Sequence, residues 1–325
     1  MPKYLHIHSD FFASPKKSPI RVGFGTGIVE AGSYDEKVVI ACCDLTESTK
    51  TDAFARKFPL RFFEIGVAEQ NAVGFAAGMA AEGMIPFVTS YAVFCPGRAW
   101  DQVRVSVCYS RMNVKIVGSH AGLSVGPDGA THQALEDIAT MRVLPHMTVI
   151  VPADAGEAHR ATIALAQHQG PAYLRLAREA TDMIMDESTP FEIGRAIVLR
   201  EGSDFTLVAT GAMVGNALRV AQELDRLGID STVVNMHTIK PLDREILQKY
   251  AKRGVPLMTI EEHQIYGGLG GAVAEYLSCF YPLPMEIAGV NDSFGESGTP
   301  QELWDRYGLG IDTLTQRARA LLSRR

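Results

Sequence analysis

The sequence predicts an α/β protein built as two doubly wound domains, the second smaller than the first. Three observations carry that expectation: apolar runs of strand length recur, helix-compatible stretches alternate with them, and the alternation breaks near residue 180 before starting again. Apolar runs bounded by polar residues read as strands buried on both faces of a parallel sheet. In such folds ligands gather beyond the carboxyl ends of the strands.

Residues 1–19 form a leader, 21–31 read as a helix, and the run KVVIACCDL at 37–45 is a strand ending near Asp44. Further strands are expected at 85–89, 114–119, 148–151 and 172–176, with helices at 69–82, 97–110 and 155–169 between them. The first domain is then 20–180, a linker takes 181–194, and the second domain is 195–325. That second alternation runs through DFTLVAT, a helix at 213–227, STVVNM, a helix near 243–251, VPLMTI and a helix at 270–277. The GGLGG turn at 267–271 fits either close packing or a phosphate cradle.

A length of 325 residues suits two domains, and 46% hydrophobic residues support formed cores. The net charge of −6 has no basic run behind it, so nothing points to nucleic acid. Five cysteines without a CxxC pair fit reduced thiols in a cytoplasmic protein. No apolar run approaches the ~20 residues of a membrane span, and the leader lacks the apolar core of a secretion signal. His6 and His8 form an isolated HIH pair, too little for a metal site.

The stretch RFFEIGVAEQNAVGFAAGMAAEG at 61–83 opens a helix of small and apolar residues at Glu69 and closes it at Gly83, and the helix is expected to be buried. A carboxylate there either complements the helix dipole or, held in an apolar pocket, has a raised pKa and exchanges a proton with a ligand. Tyr91 and Phe94, past a strand end, are either core or a stacking surface for a flat heterocycle. SHAGLSVGPDGATHQALED at 119–137 sets His120, Asp128 and His132 around one glycine-rich loop. Such a group suits proton transfer with hydroxyl and carbonyl oxygens, and it lacks the paired spacing of zinc sites.

GVAEQNAVGFAAGMA, YAVFCPGRAWDQ and VGPDGATHQALED together resemble the pyrimidine-binding and C-terminal domains of transketolase, a thiamine diphosphate enzyme, from about Arg21 to the end of the chain. The resemblance implies that Glu69 hydrogen-bonds the ring nitrogen of the cofactor's aminopyrimidine and favours the imino tautomer that activates the thiazolium carbon. It places Tyr91 and Phe94 around the pyrimidine, with Val67 and Asp44 also beside the cofactor. His120 and His132 would line the substrate channel as catalytic groups with Glu69, and Asp128 would read a hydroxyl of the acceptor aldehyde. Arg21, Ser48 and Arg178 fall where the family binds the sugar phosphate.

The GDG motif of the family's diphosphate-binding domain does not occur. The resemblance therefore implies a split-gene enzyme. Thiamine diphosphate and magnesium (or calcium) would be held mainly by an N-terminal partner subunit in an α2β2 heterotetramer, with no metal ligand from this chain. The implied reaction moves a two-carbon ketol unit between sugar phosphates of the pentose phosphate pathway. One alternative is a subunit like 1-deoxy-D-xylulose-5-phosphate synthase, which Gln70 favours and His120 opposes. Another is a non-catalytic binding or regulatory module.

Overall fold

The computed structural model describes residues 4–323. The amino-terminal half runs β1 (Lys17–Pro19), α1 (Ile20–Tyr34), β2 (Val38–Cys42), α2 (Asp52–Lys57), β3 (Phe62–Glu64), α3 (Glu69–Ala81), β4 (Ile85–Tyr91), α4 (Trp100–Gln102), β5 (Lys115–Ser119), α5 (Asp137–Arg142), β6 (Thr148–Ile150), α6 (Ala155–Gln167), β7 (Ala172–Arg175) and β8 (Ala180–Asp182). The remainder runs β9 (Ile197–Arg200), β10 (Phe205–Ala209), α7 (Met213–Arg226), β11 (Ser231–Asn235), β12 (Thr238–Lys240), α8 (Arg244–Ala251), β13 (Leu257–Gln264), α9 (Leu269–Phe280), β14 (Met285–Val290), α10 (Pro300–Arg306) and α11 (Ile311–Leu322).

Seven strands form one sheet in the order β12-β6-β7-β5-β4-β2-β3, and five form a second in the order β14-β13-β10-β11-β9. The inner pairings are parallel; the antiparallel ones are β12 with β6 and β9 with β11. β2 and β10 are buried along their whole length, which explains their nearly unbroken apolar sequences. α1 lies close against α6 because Gly23 and Gly27 have no side chain: a Cβ at Gly23 would collide with the Ala155 carbonyl, and one at Gly27 would lie 2.8 Å from that of His159.

Several features depart from the sequence expectation. β1, in the leader, pairs antiparallel with β8, which reaches into the stretch read as a linker. β12 comes from the second half of the chain yet completes the first sheet. The expected helix at 97–110 is the short α4 followed by a π-helical stretch, Val103–Tyr109. α3 is buried on one face only: Glu69, Ala72, Val73, Ala76 and Ala77 point inward, while Gln70, Asn71, Gly74 and Gly78 are exposed. Small residues on both faces of a helix remove the contrast that would reveal which side is wet. No helix among the described residues is long and apolar enough to cross a membrane.

Candidate active site

β2, β4, β5 and β7 end along one edge of the first sheet, and the residues singled out in the sequence collect there. Glu69, the first residue of α3, is only 3% exposed. Its Oε1 accepts a hydrogen bond from Ser90 Oγ at 3.2 Å, and its Oε2 faces Arg98 Nη1 at 3.4 Å. The pocket around this carboxylate is therefore not purely apolar, as expected, but includes a hydroxyl and a guanidinium. Arg98 is itself stacked over Phe94, 4.1 Å from the ring centre, and Gln70 Nε2 holds its backbone carbonyl at 3.1 Å. A cleft of about 510 Å³ lined by Val67, Ala68, Glu69, Gln70, Asn71 and Arg98 leads to the carboxylate.

Next to it stands a cluster of rings. Tyr91 stacks on His120 with centroids 3.8 Å apart and on Phe94 at 5.9 Å, while His132 meets Phe94 edge-on at 5.4 Å. The aromatic residues and the histidines thus form one wall, with one face of Tyr91 covered by His120. His120 adopts a left-handed backbone conformation, φ 57°, immediately after β5, and its Nδ1 lies 2.9 Å from Ser119 Oγ. Burial, then the charges of Arg21 and Arg178, then His132 and Lys50, push its pKa down to about 3. With its pKa so lowered, the imidazole is neutral near pH 7.

Arg21, Ser48, Arg178 and Asp128 form a second group bordering the first. Arg21 Nη1 donates to the Ser48 carbonyl at 2.6 Å and its Nε to the Arg178 carbonyl at 3.2 Å. Burial and the neighbouring Arg178 lower the Arg21 pKa. Arg178 Nη1 donates to the Val125 carbonyl at 2.8 Å and sits 3.2 Å from Glu179 and 3.7 Å from Asp128. Ser48 takes part through its backbone carbonyl. Asp44 is exposed, with φ 57°, and its N–H donates to Glu64 Oε1 at 2.6 Å. Glu64 also accepts from Gly66 N–H at 3.1 Å and Thr46 Oγ1 at 3.1 Å, so one carboxylate shapes the whole turn after β2. Val67, 67% exposed, stands on the rim of the Glu69 cleft.

Glu64, Ser90, Arg98 and Lys50 escaped the sequence reading. Arg98 lay inside the GRAWDQ stretch, where its proximity to Glu69 leaves no local trace. The residues present fit a thiamine-type cofactor. Both contacts to Glu69 are long, which leaves the carboxylate acceptor capacity toward the cleft, and an aromatic wall lies beside it. Among the described residues, no group of three or more His, Cys, Asp or Glu side chains is arranged to hold a metal ion.

Residues 16–183 match the transketolase pyrimidine-binding domain, and 194–314 match the transketolase C-terminal domain. The chain belongs to the transketolase family. Among transketolase relatives, a Methanocaldococcus jannaschii protein described provisionally as a transketolase C-terminal section is 45% identical over 301 residues, covering 92% of this chain and 94% of that one. The 6-deoxy-6-sulfo-D-fructose transketolase subunit of Clostridium sp. (strain MSTE9) is 39% identical over 298 residues, covering 92% of each. A solved split gene transketolase, described as an inactive β4 tetramer, superposes with a TM-score of 0.87 at 44% identity, over 95% of this chain and 99% of that one. This chain is accordingly a transketolase-family subunit of the thiamine diphosphate-dependent, split-gene kind.

Proposed function

We propose that this chain is the carboxyl-terminal subunit of a cytoplasmic transketolase that passes a two-carbon ketol unit from a ketose phosphate to an aldose phosphate, as in the pentose phosphate pathway. One observation carries the reading: a buried carboxylate, an aromatic wall and a pair of arginines lie in sequence along one sheet edge. Glu69 would hold the ring nitrogen of an aminopyrimidine, with Tyr91, Phe94, Val67 and Asp44 around it. Bound thiamine diphosphate supplies the electron sink that lets the bond beside a ketose carbonyl break.

The chain's own residues then handle the sugar. Arg21 and Arg178 offer a dianion two guanidinium groups. A phosphate beside them would offset the arginine charges, the smaller cause of the His120 depression after burial, and the neutral imidazole would hydrogen-bond a substrate hydroxyl. His132 packs next to it on the same wall. Asp128, close to Arg178, presents its carboxylate to a hydroxyl of the acceptor.

The Glu69 cleft opens beside the exposed Val67, Gln70 and Asn71. A partner subunit carrying the diphosphate- and magnesium- or calcium-binding domain would close it, in an α2β2 assembly. Relatives of matching length described as a C-terminal section and as a subunit support that arrangement. The test is to mix this chain with a matching N-terminal section, thiamine diphosphate and magnesium, and to assay xylulose 5-phosphate with ribose 5-phosphate. Turnover in the mixture is expected. Turnover of a sulfonated ketose alone would reassign the donor, in line with the Clostridium relative, and turnover of pyruvate with glyceraldehyde phosphate would favour the synthase. Silence with every pair would favour a non-catalytic module.

A further inference from the structure

The loop between His120 and His132 is held from outside its own domain. Ser124 N–H donates to Oε2 of Glu262 at 2.8 Å, and Glu262 stands near the end of β13 and is 4% exposed. Gln133 Nε2 donates to the loop carbonyls of Leu123 and Gly126 at 3.2 and 3.4 Å and, across the junction, to the Glu296 carbonyl at 2.9 Å. Arg175 Nη2 joins the same two surfaces through the carbonyls of Ala134 at 3.1 Å and Glu262 at 2.8 Å.

The loop glycines face the same wall. A Cβ at Gly122 would lie 2.5 Å from the Glu262 carboxylate, one at Gly126 would lie 3.2 Å from the Gly298 carbonyl, and one at Gly129 would lie 2.7 Å from Ser297 Oγ. All three also have φ between 75° and 85°. The loop is therefore shaped by its contact with the second domain, and the one charged side chain of that domain bonded to the loop backbone is Glu262 among the contacts above. Burial raises the pKa of this carboxyl, whereas the Ser124 N–H and Arg175 favour its ionised form. Burying such a group costs stability unless it is bonded, and its bond here fixes the backbone next to the substrate residues.

We propose that Glu262 is a positioning residue of the substrate site: by accepting the Ser124 N–H it sets the placement of the 120–132 loop, and with it the geometry of His120, Asp128 and His132 toward the sugar. The assignment rests on the transketolase reading for its substrate class. It acts on sugar binding more than on cofactor binding, because Glu69 lies on another segment of the chain and the loop meets the cofactor side only through the rings of His120 and His132.

In the assembled two-subunit enzyme, Glu262→Leu removes the acceptor and Glu262→Gln keeps an oxygen for the Ser124 N–H. The Leu variant is expected to raise KM for the sugar phosphates about 10-fold, the scale of one lost hydrogen bond to a charged group. Its thiamine diphosphate affinity should stay within about twofold, and Gln should restore most of the KM. Ser124→Pro deletes the donor from the other side of the same bond and should raise KM alike, which keeps the test alive if Glu262→Leu does not fold. Unchanged KM in both, or KM and cofactor affinity failing together in both, would overturn the assignment. If the wild-type pair turns over no sugar phosphate, the transketolase reading fails instead. Amide exchange at 122–129 then decides the positioning claim: acceleration by Leu but not Gln upholds it, and no change refutes it.

Discussion

The two sheets share a doubly wound plan, yet their carboxyl edges serve opposite ends. Along the first, Glu69 borders a cleft, Tyr91 is half-buried and Asp128 is exposed, with the buried His120 stacked behind Tyr91. Along the second, the polar strand-end residues are consumed internally. Glu261 accepts the N–H groups of Leu269 and Gly270, both at 2.7 Å, Glu262 accepts that of Ser124, and His263 Nε2 accepts that of Ala139 at 3.3 Å. Asn235 Nδ2 reaches Glu157 Oε1 of the first domain at 2.8 Å. The second edge is thus a docking surface for the first domain. Glu261 already occupies the amino end of α9, so the GGLGG turn serves packing: a Cβ at Gly268 or Gly270 would collide with Glu261 or Ile287. Architecture alone does not locate a site; it lies where strand-end polar groups keep capacity beyond their internal partners.

The largest test of this contrast pairs Glu69 with Glu261. Glu69→Ala should lower kcat of the assembled enzyme by about 10²- to 10⁴-fold, measured by turnover of sugar phosphates, while the chain's thermal midpoint changes little. Asp137→Ala should act on stability instead. It strips the buried Arg175 of a carboxylate 2.8 Å away and Tyr173 of its partner at 2.6 Å, at a cost of about 3–5 kcal/mol by denaturant unfolding. Glu261→Ala should cost about 1–3 kcal/mol by orphaning two helix N–H groups, with kcat nearly unchanged. If it abolished turnover while leaving stability intact, the division between the two edges would be wrong.

Acid brings a smaller effect. His120 at the first edge and His237 near the junction are pushed down to about 3 and about 4, in both cases mainly by burial. Their folded pKa values lie below the unfolded value, so the unfolded chain binds more protons. Stability is then fully present above about pH 6.5 and falls as pH drops toward the folded values, by up to about 1.4 kcal/mol per pH unit for each histidine. Glu157, pushed up to about 8 by burial and then by Asp154, works in the opposite sense between its ordinary value and 8. Unfolding followed against pH should therefore steepen below about 4.5, and His120→Asn should flatten that limb. The smallest effect concerns thiols: Cys279 is exposed and the other four are buried, so a thiol reagent should label the native chain once.

Much of this was legible in the sequence, and the reasons are local. β2 and β10 announce themselves because strands buried on both faces need unbroken apolar residues. β3 and β14 sit at sheet edges, are only partly buried, and carry no such signature. His120, Asp128 and His132 could be grouped because they share one loop. The contacts of Glu69 with Ser90 and Arg98 could not, since sheet register brings together residues 21 and 29 positions apart. The grip of Glu262 on Ser124 spans 138 positions and depends on how the two halves dock.

The most direct test of the central claim, that the first edge is one half of a shared cofactor site built on Glu69, is equilibrium binding of thiamine diphosphate with magnesium. It should be measured by calorimetry on this chain alone, on the wild-type two-subunit assembly and on the assembly carrying Glu69→Ala. Strong binding to the wild-type assembly only, with the free chain and the Glu69→Ala assembly weakened by 10-fold or about that, is the predicted result. Equal affinity in the free chain and both assemblies would contradict it.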